Sequence, residues 1–224
     1  MTWSTKIGRF AGIDVYVHAT FFLLLAWVAW AYYAETGTLE GVGSRILLVL
    51  LLFLCVVLHE YGHALTARRF GIGTRSITLL PIGGLALLEK MPKDPREEII
   101  VALAGPAVNV VIATLLYLLL GVSARPGALL DLSGSLLPTL LVANLMLAIF
   151  NLLPAFPMDG GRVLRATLAM RMDRVRATAI AARVGQGLAI GLGLLGLLGN
   201  PILILIAAFI WIGAGTEAVA VATD

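Results

Sequence analysis

Two histidines and a glutamate lie close together in the stretch His59-Glu60-Tyr61-Gly62-His63, which has the form H-E-x-x-H. Residues four positions apart on an α-helix project from nearly the same face, so His59 and His63 can offer two imidazole nitrogens to one metal ion. Glu60 lies about 100° around the helix from His59, where its carboxylate can take a proton from a metal-bound water. The stretch therefore predicts a hydrolytic metal centre.

A catalytic zinc site uses three protein ligands and keeps one position open for water, so a third ligand is required. Asp159 is the candidate, because Pro154 and Pro157 interrupt the helix before it and a carboxylate suits zinc. The alternative is that Asp159 is the N-cap of a helix that begins near Gly161. The distribution of Lys and Arg residues along the chain favours the ligand role for Asp159, because it puts residues 59–63 and residue 159 at the same membrane face.

The composition is that of a membrane protein. The chain has 224 residues, of which 60% are hydrophobic and 13% are charged, and its mean hydropathy is +0.98. Soluble domains carry about 25% charged residues, so these charges are too few to cover the surface of a water-soluble globule. Cys55 is the single cysteine, which excludes a disulfide-stapled module. The net charge is only +3, and we expect no nucleic-acid partner.

Six apolar runs approach the roughly 20 residues that a helix needs to cross a bilayer. The predicted spans are Val15–Ala34, Ile46–Thr66, Ile99–Val122, Leu136–Leu153, Ala177–Leu198 and Pro201–Val221. A cleaved signal peptide is the alternative for the first run, which contains a small-x-small site ending at Ala31. The run continues to Tyr33, which favours a retained anchor. We expect residues 1–224 to form a single transmembrane domain.

The basic residues predict the orientation of these spans. Fourteen of the sixteen Lys and Arg residues lie before the first span, between the second and third, or around the fourth-to-fifth connection. Only Arg45 and Arg125 lie on the other side. Because basic residues mark cytoplasmic loops, we expect a multi-pass protein of the cell membrane with both termini cytoplasmic. The metal centre at the end of the second span then lies near the cytoplasmic side.

The segment Gly71–Leu88 is apolar, but Pro81, Gly83 and Gly84 prevent a straight spanning helix. We predict a strand-like hairpin over about residues 71–90 that dips into the membrane, where its backbone must be paired or face a wet cavity. A hairpin lying on the membrane surface is the alternative. The predicted fold class is an all-α membrane protein of six helices with one short membrane-associated β-hairpin.

Four stretches together resemble the membrane core of the site-2 proteases, a family of intramembrane zinc metalloproteases. They are HEYGH, PIGG at 81–84, AGPAVN at 104–109 and NLLPAFPMDGGR at 151–162. The resemblance implies that His59, His63 and Asp159 hold one Zn²⁺ and that Glu60 is the general base. It also implies that Asn151 orients or stabilises the scissile peptide, although an interhelical hydrogen bond is the alternative for Asn151.

The resemblance further implies cleavage of the transmembrane segments of substrate proteins near the cytoplasmic face, as in regulated intramembrane proteolysis. A helical substrate must unwind first, which exposes backbone groups that cost several kcal/mol each in hydrocarbon. We hypothesise that the edge of the predicted hairpin pairs with the unwound segment, with Ile82, Gly83, Gly84 and Leu85 as substrate-binding residues. The expected partners are transmembrane proteins and membrane lipid.

Other polar residues in the spans have simpler interpretations. Asn109 and Asn144 are expected to form packing contacts through interhelical hydrogen bonds, and Cys55 to fill space like a small apolar residue. For His18, near the start of the first span, interface packing is favoured over a hydrogen-bonding or gating role.

Three other functions compete with proteolysis of this type. A membrane metal transporter also places histidines and acidic residues in helices, but it needs polar residues along a whole path. Another membrane H-E-x-x-H peptidase, such as the prenyl-protein type, is expected to take a glutamate from a later helix as third ligand. An inactive zinc-binding scaffold is disfavoured because both the ligands and the general base are present.

Overall fold

The computed structural model describes residues 3–121 and 136–223. The described chain is mostly helical, with one small sheet. The strands are β1 (Ser4–Phe10), β2 (Ile13–His18), β3 (Thr74–Leu80) and β4 (Gly83–Leu88), and the helices are α1 (Ala19–Thr36), α2 (Val42–Arg69), α3 (Pro95–Leu120), α4 (Leu136–Asn151), α5 (Asp159–Ala169), α6 (Arg174–Leu197) and α7 (Pro201–Thr223). Arg125 and the predicted end of the third span at Val122 lie outside the described residues.

Four helices in the described ranges are long and apolar enough to cross a membrane: α2, α3, α6 and α7. They correspond to the second, third, fifth and sixth predicted spans, and each agrees with its prediction to within a few residues. With these four helices the chain is an integral membrane protein.

The other two predicted spans need correction. Residues 15–18 of the first belong to β2, and α1 begins only at Ala19, after His18 as its N-cap. The fourth ends two residues early, since α4 stops at Asn151 after 16 residues. Pro154 explains that end, because proline has no backbone N–H and disfavours helical geometry in the residue before it.

The sheet has four strands in the order β1-β2-β3-β4, so the predicted all-α fold with one hairpin is incomplete. The predicted hairpin is present as the antiparallel pair β3-β4. A second antiparallel pair, β1-β2, was missed, and β2 joins β3 in parallel. The missed signal is a period of two in β2, where Ile13, Val15 and Val17 are buried and the residues between them are less so.

The described residues divide into two compact units: those within Met1–Met91 and Ala107–Ala148 form the first, and those within Pro92–Pro106 and Ile149–Asp224 form the second. In the first unit the sheet packs on the second half of α2. Ile13 and Ile77 contact Ala64 in one apolar cluster, and Val17 and Leu79 contribute to a second that includes residues 53 and 57 of α2. The sheet therefore supports the part of α2 that carries the H-E-x-x-H residues.

In the second unit, the loop before α5 is buried against α6 and α7. Ala155 and Met158 pack with residues 189, 207 and 210, and Phe156 packs with residues 181, 182 and 214. Gly185 on α6 allows this approach, because a Cβ there would lie 3.2 Å from the Cα of Ala155. The loop that ends at Asp159 is thus held by two long helices.

Candidate metal centre

The buried side chains of His59 and His63 meet on one face of α2, one helical turn apart. Their Nε2 atoms are 3.1 Å apart, and their rings are inclined at 81°. Two imidazole nitrogens bound to one tetrahedral zinc ion at about 2.0–2.1 Å lie about 3.3 Å apart. The observed separation therefore fits two nitrogen ligands of a single zinc ion.

The other ring nitrogen of His59 contacts Asn109, for which the sequence predicts an interhelical packing contact. His59 Nδ1 lies 2.5 Å from Asn109 Oδ1, and Asn109 Nδ2 donates to Asn144 Oδ1 at 2.9 Å. All three side chains are buried. A polar side chain in an apolar helix signals such a partner, but the sequence alone does not say which partner it has.

Glu60 lies beside the histidine face, as predicted, and is only half-buried. Its side chain packs on β4 at Gly84, where an added Cβ would lie 2.6 Å from Glu60 Cγ and 3.0 Å from Glu60 Oε1. The backbone of β4 therefore passes directly beside the carboxylate that the sequence predicts as general base. Only glycine at position 84 allows this approach.

Asp159 is the first residue of α5 and is buried. The N-cap position belongs to Met158, without a side-chain cap, so the alternative that Asp159 is the N-cap is wrong. The next two residues must be small: a Cβ at Gly160 would lie 2.3 Å from the carbonyl oxygen of Leu152, and one at Gly161 would lie 2.6 Å from the carbonyl carbon of Ala155. The two glycines let α5 begin tight against the preceding loop.

A buried arginine anchors α5 within the second unit. Arg165 Nε donates to Glu98 Oε1 at 2.8 Å, and Arg165 Nη1 donates to Glu217. Its guanidinium also lies 5.1 Å from the ring centroid of Phe156, in the loop before Asp159. The helix that carries Asp159 is thereby tied to α3, to α7 and to its own leading loop.

The structure also describes the other residues that the sequence singles out, namely Ile82, Leu85, Asn151 and His18. Ile82 is 83% exposed, in the turn before β4, and Leu85 is 48% exposed on the strand itself. Asn151 is the last residue of α4. His18 accepts a hydrogen bond from the backbone N–H of Thr20 and so caps α1, which agrees with the hydrogen-bonding alternative and not with the favoured interpretation of interface packing.

The donor set suits zinc. His59, His63 and Asp159 are each buried, and each offers a nitrogen or oxygen atom of the kind that zinc binds. Two imidazoles and one carboxylate form a common ligand set of catalytic zinc, which leaves a fourth position for water.

Comparison with known proteins agrees with this donor set. The sequence matches the family model of peptidase family M50 over residues 47–133 and 127–192. A zinc metalloprotease of Methanocaldococcus jannaschii is 39% identical over 97% of this chain and 61% of its own length. A protein of Synechocystis sp., named as a candidate zinc metalloprotease, is 39% identical over 97% of this chain and 60% of its own length.

The chain thus spans about 60% of the length of these curated relatives. A solved structure of a site-2 protease from Methanocaldococcus jannaschii is similar to it with a TM-score of 0.70 and 38% sequence identity, covering 96% of this chain and 95% of that one. From its motifs, its fold and these similarities, the chain belongs to peptidase family M50, the site-2 protease family.

Proposed function

We propose that this chain is a zinc-dependent intramembrane endopeptidase that cuts transmembrane segments of other proteins near the cytoplasmic face. The observation that carries the proposal is the pair of buried histidines whose Nε2 atoms are 3.1 Å apart, with Glu60 next in sequence to one of them. Family membership supports it, as does the naming of a relative as a zinc metalloprotease.

In this proposal His59, His63 and Asp159 would hold the zinc ion. When bound there, zinc would supply Lewis-acid chemistry, which polarises a substrate carbonyl and makes a water easier to deprotonate. Glu60 takes a proton from the attacking water and passes it to the nitrogen of the leaving amine. The peptide bond breaks, one water is consumed, and Glu60 returns to its starting state.

Asn151 is proposed to orient the scissile peptide. It lies at the end of α4, eight residues before Asp159 in sequence, and its side chain offers both an N–H donor and a carbonyl acceptor. A donor directed at the carbonyl oxygen stabilises the charge that develops there during attack.

The substrate segment is proposed to bind along β4. This strand is an edge of the sheet, and an edge strand offers backbone N–H and C=O groups to an added strand. Ile82 and Leu85 are exposed, while Gly84 lies against Glu60. A segment paired along residues 82–85 is held extended, with its carbonyls available to attack, close to the general base.

We further propose that the chain spans the membrane six times with both termini cytoplasmic. The shorter helices α1 and α4 complete the four long spans. Support comes from α1, where Leu23, Trp27 and Trp30 are 60–69% exposed, which suits contact with lipid. The concentration of basic residues on one side supports the orientation.

The test uses purified protein in detergent with a panel of single-span peptides and one prenylated peptide, with and without a zinc chelator. The proposal expects cleavage within a single-span peptide, loss of cleavage with chelator, and loss in Glu60→Gln. Glu40→Gln, a change at an exposed glutamate, is the matched control and is expected to cleave normally.

Cleavage that survives chelation or Glu60→Gln would overturn the proposal. Cleavage of the prenylated peptide alone would favour the other type of membrane H-E-x-x-H peptidase. Zinc flux into liposomes that is unchanged in Glu60→Gln, without any peptide cleavage, would favour a transporter.

A further inference from the structure

A chain of three buried polar side chains leads away from the metal-binding face of α2. It runs from His59 to Asn109 on α3 and then to Asn144 on α4. Asn109 and Asn144 are each 0% exposed, although both helices are otherwise strongly apolar. Burying two carboxamides in this setting is unfavourable unless each donor and acceptor has a partner.

The hydrogen bond from Asn144 to the backbone fixes the orientation of the Asn144 carboxamide. Asn144 Nδ2 donates to the backbone carbonyl of Leu140 at 2.8 Å and to Cys55 Sγ at 3.4 Å. A backbone carbonyl can only accept, so the Asn144 amide group must face it. Asn144 Oδ1 therefore points the other way, towards Asn109.

That orientation determines each hydrogen bond that follows. Asn144 Oδ1 needs a donor, and Asn109 Nδ2 supplies it at 2.9 Å. Asn109 Oδ1 is then the atom that faces His59 Nδ1, at 2.5 Å. Since Asn109 Oδ1 can only accept, the proton of this hydrogen bond belongs to His59 Nδ1.

We propose that Asn109 and Asn144 are positioning residues that hold His59 in the tautomer with its proton on Nδ1. This tautomer leaves the lone pair of His59 Nε2 directed at the metal position that it shares with His63 Nε2. The orientation of all three polar side chains follows from the Leu140 carbonyl, which can only accept a hydrogen bond. This inference rests on the proposed function, because it gives the two asparagines their purpose at the zinc site.

The hydrogen bond between His59 Nδ1 and Asn109 also fixes the orientation of the His59 ring. A ligand histidine bound through its second ring nitrogen needs no reorganisation when the metal arrives, and loss of such a partner costs about 10–100-fold in metal affinity or activity. Asn109 is expected to contribute most of this effect because it contacts His59 directly. Asn144 acts through Asn109, so its removal is expected to cost less.

The first experiment measures zinc affinity by chelator competition, together with thermal unfolding of the zinc-free protein, for Asn109→Leu, Asn109→Asp and Asn144→Leu. Asn109→Leu removes the acceptor and is expected to weaken zinc binding by about 10–100-fold. Asn109→Asp keeps an acceptor for His59 Nδ1 and is expected to bind within about fivefold of wild type, since carboxylates commonly hold zinc-bound histidines. Asn144→Leu should lie between these two variants.

Thr178→Val is the matched control, because Thr178 is also a buried polar residue in a long apolar helix and donates a hydrogen bond to the backbone carbonyl of Arg174 in that same helix. It is expected to keep the wild-type zinc affinity. The inference is overturned if Asn109→Leu binds zinc like wild type. It is also overturned if Asn109→Asp loses as much affinity as Asn109→Leu, because a purely structural role for Asn109 would produce that result.

A second experiment needs no variant in the polar chain. Nitrogen NMR of the ¹⁵N-histidine-labelled protein reports which ring nitrogen of each of the three histidines carries a proton, and His18→Gln removes one set of signals to aid assignment. We expect the proton of the neutral His59 ring on Nδ1 with and without zinc, and a neutral ring with its proton on Nε2 instead would overturn the inference. This result is independent of the proposed function, which fails instead if the wild-type chain neither binds zinc nor cleaves a peptide.

Discussion

Gly84 and Glu60 are in such close contact that a methyl group at position 84 would lie 2.6 Å from the Cγ atom of Glu60. The two residues come from different elements, β4 and α2, and 24 positions separate them in sequence. The contact sets the distance between the proposed general base and the edge strand proposed to hold the substrate. It explains in physical terms why the P-I-G-G stretch requires its last glycine.

Gly84→Ala is expected to lower peptide cleavage by at least about tenfold, because the added methyl group displaces Glu60 or pushes β4 away from it. Zinc content should stay at the wild-type level, since His59 and His63 are not touched. Gly187→Ala is the control, because a Cβ at position 187 meets nothing within 4 Å. Wild-type cleavage by Gly84→Ala would show that this contact does not matter for catalysis.

Leu85→Pro and Ala86→Pro form a matched pair that tests pairing of the substrate with β4. Neighbouring residues on a strand direct their N–H groups to opposite edges, so one change removes an N–H directed at β3 and the other removes one directed outwards. We expect the variant that loses the N–H directed at β3 to have a lower Tm. The variant that loses the outward N–H should keep the wild-type Tm and zinc content and cleave peptide at least about tenfold more slowly. If both variants retain zinc and cleave peptide like wild type, strand pairing is not required.

The buried ion-pair cluster on α5 predicts a large effect on stability. Arg165→Met leaves Glu98 and Glu217 without their contacts to this guanidinium, and losing one partner of a buried ion pair costs about 3–5 kcal/mol. Arg176→Met is the matched control. Its side chain is 81% exposed in an ion pair with Asp173, and such pairs contribute less than about 1 kcal/mol. Thermal unfolding in detergent measures both variants, and equal Tm values would contradict the prediction.

His18 is predicted to be structural. It caps α1 through the backbone N–H of Thr20, so His18→Asn, which keeps a capping acceptor, should retain zinc content and cleave within about twofold of wild type. His18→Ala should destabilise the chain by about 1 kcal/mol. A loss of zinc in His18→Asn would instead indicate that this side chain takes part in metal binding.

Most of the predicted site follows from the spacing of residues that are close together in the sequence. The spacing of His59 and His63 by four residues fixes their common face on any helix, and the structure confirms it. The break at Pro154 likewise predicts a new helix shortly after it; the sequence placed the start of that helix near Gly161, and the helix begins at Asp159. These signals are short-range, so one sequence is enough to read them.

Long-range relationships could not be predicted in the same way. Asn109 lies 50 residues from His59, and nothing in either segment shows that the two side chains meet. The last four residues of β2, Val15–His18, were merged with the first apolar run because the single polar residue His18 does not interrupt the run that leads into α1. The alternating burial of β2 depends on a parallel partner, β3, more than fifty residues later in the chain.

The proposed function requires one zinc ion held by His59, His63 and Asp159, and X-ray absorption at the zinc edge of the purified protein detects such an ion and its ligands. We expect one zinc per chain with only nitrogen and oxygen ligands at about 2.0–2.1 Å, two of them imidazoles. Asp159→Ala should lose an oxygen ligand or most of its zinc. A wild-type chain without zinc, or an Asp159→Ala chain with unchanged zinc content and coordination, would show that these three residues do not hold the ion.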